Sequence, residues 1–165
     1  MKNRSINIMI VAFLLFCVMS TILIAFIINA HDTFDEKIKV RSDGVTESVM
    51  TVRNLHLSPT ESKEYTVDMV CEASGSYHIY LDYVELTDGG MKPFVRVTVS
   101  YGDTVAYEGT LAELIDTDAV VCFETELTAD DPVPITVRYE MPREVGNEAQ
   151  GTFAGFDVNI KIEKS

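Results

Sequence analysis

Histidine and acidic side chains are the residues of this chain best suited to metal or catalytic chemistry. His31, His56 and His78 are its three histidines, and no His-Glu-x-x-His or Cys-x-x-Cys spacing brings ligands together. No Gly-x-Ser-x-Gly turn or phosphate-binding loop is present either. We therefore expect a chain that is not an enzyme and that has no catalytic residues, metal or cofactor.

Four acidic residues near one predicted strand end are a second candidate for ion binding. They are Glu124, Glu126, Asp130 and Asp131. Oxygen-rich loops can bind calcium, but the Asp-x-Asp-x-Asp-Gly pattern of a calcium loop is missing. A solvated acidic edge, which also opposes the pairing of one sheet with another, is the favoured interpretation.

Cys71 and Cys122 could form a disulfide, although the strand pattern does not favour one. Cys71 falls on the apolar phase of its strand. Cys122 could face the same core only if Glu124 and Glu126 turned inward with it, because alternate residues of a strand share a face.

Residues 8–28 form an uncharged apolar run that is long enough to cross a bilayer, at about 31 Å of helix. Lys2 and Arg4 precede it and acidic residues follow it, so the N-terminus is predicted to be cytoplasmic and residues 31–165 extracellular. We favour a single-pass membrane anchor over residues 1–30. A cleaved signal segment, which would make the domain secreted, stays open. Its cleavage site would end at Ala30, with the bulky Ile28 two positions before.

Residues 31–165 contain 11 basic and 26 acidic residues, a net charge of −15. Nucleic-acid binding requires clustered lysines and arginines that contact phosphates, so the charge argues against that class of partner. A domain of this size can bury a core without a disulfide framework.

Alternation of apolar and polar residues predicts that residues 31–165 form strands. The predicted inward-facing runs are Ile38–Val40, Tyr65–Cys71, Ile79–Tyr83, Val95–Val99, Val121–Leu127, Ile135–Met141 and Phe156–Ile162. Strands with one apolar face need a second sheet to cover it. We therefore predict an all-β, jelly-roll-like antiparallel sandwich of eight or nine strands, with one short helix over Thr110–Ile115.

Two stretches, taken in order, resemble a known family. They are Tyr107–Leu114 and Tyr139–Gly151, the second followed by Phe156–Val158, and Asn54–Ser62 is also similar. The resemblance is to the TasA/camelysin-like family of Gram-positive cell-surface proteins, which includes biofilm-matrix subunits. It implies a jelly-roll sandwich outside the cell and a loop that is structural or binds a partner. The loop residues singled out are Pro142, Gly146, Asn147, Glu148 and Gln150.

Two functions of different classes follow from these observations. The resemblance implies a structural subunit that associates by strand addition, for which the segment Lys37, Ile38, Lys39, Val40 and Arg41 is suited. The alternative is a membrane-tethered, monomeric binding or accessory module, which binds another surface protein or ligand. Some relatives carry the label metallo-endopeptidase, a less favoured function because no zinc motif is present. The first two differ in whether residues 34–42 pair inside their own domain.

Overall fold

The computed structural model describes Phe13, residues 16–20 and residues 31–165. Apart from those first six positions, the predicted membrane segment at residues 8–28 lies outside the described residues. No helix among the described residues combines the length and the apolar character needed to cross a bilayer. The β-sandwich is one compact unit, Asp32–Ser165.

Within residues 31–165 the chain forms nine strands in two sheets. The strands are β1 (Lys37–Val40), β2 (Val45–Leu55), β3 (Ser62–Cys71), β4 (Gly75–Gly89), β5 (Arg96–Tyr101), β6 (Thr104–Thr110), β7 (Val121–Leu127), β8 (Val133–Glu140) and β9 (Phe153–Lys164). One sheet has five strands in the order β1-β3-β8-β5-β6, and the other has four in the order β2-β9-β4-β7. The prediction of an all-β sandwich of eight or nine strands is confirmed.

The core lies between the two sheets and is built from the inward phases that alternation predicted. Val97 and Val99 on β5, Val137 on β8, and Phe156 and Val158 on β9 are all buried. Each such side chain stabilises the fold by about 1.5–3 kcal/mol relative to exposure. Hydrophobic burial is therefore the main force that holds the sheets face to face.

Strands β2 and β6 were not recognised from the sequence. The inward phase of β2 begins with Thr46 and Ser48, which are polar, while Val45 and Val49 point outward and are exposed. Strand β6 has no fully buried residue. Each strand pairs through its backbone with a neighbour whose apolar and polar residues alternate clearly, β9 for β2 and β5 for β6. Their own side chains therefore show little of the alternation that predicts a strand.

One strand pair departs from the predicted antiparallel arrangement, because β1 runs parallel to β3. The chain leaves the five-stranded sheet after β1, forms β2 in the opposite sheet and returns as β3. Two crossings restore the original direction, whereas a direct hairpin would have reversed it. The strand also ends at Val40, so Arg41 lies beyond it.

The predicted short helix is confirmed as α1 (Leu111–Asp116). Thr110 begins it with a capping box: the Glu113 backbone N–H donates to Thr110 Oγ1 at 3.2 Å, and the Thr110 N–H donates to Glu113 Oε2 at 2.9 Å. Leu111 and Leu114 are buried against the sandwich. At its other end, Asp116 Oδ1 lies 2.7 Å from the buried ammonium of Lys92.

Candidate functional site

The segment predicted to take part in strand addition is paired inside its own domain. Ile38 and Val40 are buried in the core, while Lys37 and Lys39 are exposed. The Asp68 N–H donates to Glu36 O at 2.9 Å, so the pairing continues just before the strand. This is the arrangement that we expect of a module that completes its own sheet.

A carboxylate at the start of the sandwich fixes the chain just before β1. Asp32 accepts hydrogen bonds from Tyr65 Oη at 2.6 Å and from the Arg53 N–H at 2.8 Å. The Lys63 ammonium forms an ion pair with the same carboxylate, and the Phe34 ring packs edge-on against Tyr65 at 5.5 Å between centroids. No residue spacing in the sequence predicts these contacts, and Asp32 was therefore not among the predicted site residues.

The contact between Asp32 and Tyr65 shifts their two pKa values in opposite directions. Burial by itself would raise the pKa of Asp32, but the hydrogen bonds from Lys63, Tyr65 and the Arg53 backbone outweigh it and lower the pKa below 3.8. Burial and the neighbouring Asp32 carboxylate raise the pKa of Tyr65 far above its usual value. The carboxylate therefore stays ionised and the phenol stays protonated at neutral pH.

Asp32→Asn should lower the free energy of unfolding by about 1–2 kcal/mol near neutral pH, because charged acceptors bind donors more strongly than an amide does. Since the folded pKa of Asp32 is lowered, its contribution is complete above pH 3.8 and is lost as the pH falls through the folded pKa. Urea unfolding should therefore show the wild type and the variant converging as pH drops from about 5 to about 2. Asp103→Asn, in an exposed turn, is the control. A difference that stays constant with pH would contradict the assignment.

The loop singled out by the resemblance forms a small cavity with the similar stretch upstream. Backbone hydrogen bonds join the two, from the Thr60 N–H to Met141 O at 2.8 Å and from the Met141 N–H to Glu61 O at 3.0 Å. The cavity has a volume of about 250 Å³ and is lined by His56, Leu57, Ser58, Pro59, Gly146, Asn147, Ala149, Gln150 and Gly151. Pro142 and Glu148 belong to the loop but do not line the cavity.

Backbone contacts hold this loop, rather than the side-chain caps that its amides could supply. Asn147 and Gln150 make no side-chain hydrogen bond with another described residue. Instead the Gln150 N–H donates to Asn147 O at 3.1 Å. Gly151 has a φ of 77°, a left-handed conformation that favours glycine.

The two cysteines of the sandwich lie in different sheets and are both free thiols. Cys71 is buried on β3, and its Sγ–H donates to Thr128 O at 3.2 Å. Cys122 is exposed on β7, at the edge of the four-stranded sheet. Glu124 and Glu126 share its outward face, which is the face that the acidic pattern predicted.

The histidines belong to no metal-binding cluster within the described part of the chain. There, no three His, Cys, Asp or Glu side chains lie close enough together to bind an ion. Within residues 31–165, His56 approaches Thr152 O at 2.9 Å through Nδ1, and His78 lies beside Tyr80 on the outer face of β4.

A groove crosses the outer face of the four-stranded sheet and has a volume of about 450 Å³. Its lining residues are Glu47, Ser48 and Val49 on β2, Tyr80 and Asp82 on β4, Val120 before β7, and Asn159, Ile160 and Lys161 on β9. Backbone register places Tyr80 opposite Lys161 and Asp82 opposite Asn159. Of the three tyrosines on β4, Tyr77 and Tyr83 are buried, whereas Tyr80 contributes to this surface.

Comparison with known proteins adds no family. No family model and no curated protein matches the chain. Among solved structures, the Cry4Aa toxin from Bacillus thuringiensis is 10% identical with a TM-score of 0.41, and the match covers 78% of this chain but only 25% of the toxin. FlhE is 17% identical with a TM-score of 0.42, covering 72% of this chain and 93% of FlhE. A family 35 carbohydrate-binding module from Clostridium thermocellum is 9% identical with a TM-score of 0.36, and the match covers 82% of this chain and 100% of the module. The fold assignment rests on the sheets themselves.

Proposed function

We propose that this chain is a non-enzymatic interaction module, held at the cell surface by residues 8–28, with the sandwich of residues 31–165 outside the cell. The observation that carries the proposal is the pairing of β1 with β3 of the same domain. With Ile38 and Val40 buried there, the sandwich has filled its own core and does not depend on a neighbour to complete it. We also propose that it is a member of the TasA/camelysin-like family, on the motifs given above.

A second candidate is a fibre subunit that associates by exchange of β1. One observation favours it: β1 has four residues, lies at a sheet edge and follows directly on the N-terminal segment. A short edge strand can leave its slot more easily than a central one. In an exchanged assembly, Ile38 and Val40 of one copy would fill the same positions in the next copy.

A cysteine at position 40 distinguishes the two candidates. Val40 is the register partner of Cys71, and neighbouring strands lie about 4.8 Å apart, within the Cα separation that a disulfide spans. We expect Val40→Cys, made together with Cys17→Ser and Cys122→Ser, to form a disulfide within one chain. Non-reducing electrophoresis of the oxidised full chain should then show a monomer.

Lys39→Cys in the same background is the matched control. Its register partner is Val70, which has no thiol, so no bond to β3 should form there. A ladder of disulfide-linked oligomers, in which position 40 of one chain is bonded to Cys71 of another, would establish exchange of β1. That result would contradict the monomeric module and support the fibre subunit.

A further inference from the structure

One side of the groove on the four-stranded sheet is a wall formed by Tyr80 and Lys161, which both contact Glu163. Glu163 accepts a hydrogen bond from Tyr80 Oη at 3.0 Å through Oε1, and its Oε2 lies 3.0 Å from the Lys161 ammonium. The same ammonium lies over the Tyr80 ring, 5.2 Å from its centroid. These bonds lower the pKa of the Glu163 carboxyl, with the one from Lys161 the strongest. Glu163 therefore connects Tyr80 and Lys161 at one side of the groove.

Beside that wall lie polar groups whose hydrogen-bonding capacity is unused within the described part of the chain. Asp82 and Asn159 face each other across β4 and β9, and neither side chain bonds to another described residue. Glu47 on β2 lies opposite Lys161 on β9, and it forms no ion pair within residues 31–165. The surface thus offers two carboxylate acceptors and one amide that both donates and accepts.

The ends of the groove are apolar. Val49 is 49% exposed on one side and Val120 is 50% exposed on the other. A ligand lying across the sheet would therefore meet hydrocarbon at its ends and hydrogen-bonding groups between them. A volume of about 450 Å³ is within the range of small-molecule sites.

We infer that this groove binds a neutral saccharide, which deepens the proposed function as an interaction module and rests on it. Hydroxyl groups both donate and accept, so they suit the alternation of Asp82, Asn159 and Lys161. The C–H faces of a sugar ring suit Val49 and Val120. An anionic ligand would approach a domain with a net charge of −15 and would meet the carboxylates of Glu47 and Asp82 in the groove. A cationic oligomer is included in the test as the comparison.

Isothermal titration of the purified full chain against cellohexaose, laminarihexaose and maltohexaose tests the inference. We expect saturable binding of at least one of them, weakened at least about tenfold by Asp82→Ala or Asn159→Ala. Because neither side chain is bonded within the described residues, both variants should keep the melting temperature of the wild type. Tyrosine emission gives a second readout, since the chain has no tryptophan.

Asp68→Ala is the matched control, because Asp68 is a half-buried, outward-facing strand residue of the other sheet. It should leave saccharide binding unchanged. Titration with a glucosamine hexamer and a galacturonate hexamer provides the charged comparison. Binding of only a charged oligomer, no binding of any neutral one at millimolar concentration, or binding that survives both groove variants would each overturn the inference. None of these outcomes alters the expected disulfide at Val40→Cys. The disulfide experiment therefore tests the proposed interaction module, and the titration tests only the ligand class.

Discussion

Val40→Asp should lower the free energy of unfolding by about 3–5 kcal/mol, because it buries a charge with no partner in the core. Val40 is fully buried on β1, opposite Cys71. If β1 were only a stalk between the N-terminal segment and the sandwich, the substitution would have no effect. Urea unfolding followed by circular dichroism at neutral pH measures the difference.

Lys39→Asp is the control for that measurement. Lys39 neighbours Val40 in the same strand but is exposed, so its replacement should change the free energy of unfolding by less than about 0.5 kcal/mol. The interpretation of β1 as part of the domain would have to be abandoned if the two variants had equal stability.

Gly155→Ala should cost about 2–3 kcal/mol, at the upper part of the range for overpacked cores. A Cβ at Gly155 would lie 2.7 Å from the Arg53 carbonyl oxygen and 3.5 Å from Thr87 Cβ. The nearer atom belongs to the backbone, so relief requires the strand to move rather than a side chain to rotate. Both neighbours of β9 shift register here, β2 between Val52 and Leu55 and β4 between Glu85 and Thr87.

Asn159→Ala, on the same strand, is the matched substitution for Gly155→Ala. Asn159 is half-buried on the outer face of β9, and its side chain forms no bond with another described residue. Thermal unfolding should place this variant within about a degree of the wild type and Gly155→Ala several degrees lower. Equal melting temperatures would show that β9 tolerates a side chain at position 155.

Strand phase was predictable wherever one face of a strand is uniformly apolar. Ile135, Val137 and Tyr139 on β8 are an example, since each is buried and the residues between them are less so. Prediction failed on β2, whose inward face starts with Thr46 and Ser48. Period-two alternation reports burial and not backbone pairing, so a strand held mainly by its neighbours leaves a weak trace.

The candidate sites depended still more on tertiary structure. The Asp32 contacts unite residues 21 to 33 positions apart. The groove collects side chains from β2, β4 and β9, with Val120 ahead of β7. Sheet order decides which outward-facing residues become neighbours, and no spacing along the chain records that order.

Local alternation, and the helical spacing of Leu111, Leu114 and Ile115, were enough to predict a strand-rich sandwich, its inward residues and the helix after Thr110. These features arise from the side-chain periods of a strand and of a helix, both of which lie within a few residues of sequence. The parallel pairing of β1, the fixed position of Asp32 and the line of Tyr80, Asp82, Asn159 and Lys161 were decided only when the two sheets assembled. Each of them brings together strands distant in the chain, and that choice is made by the packing of the whole core.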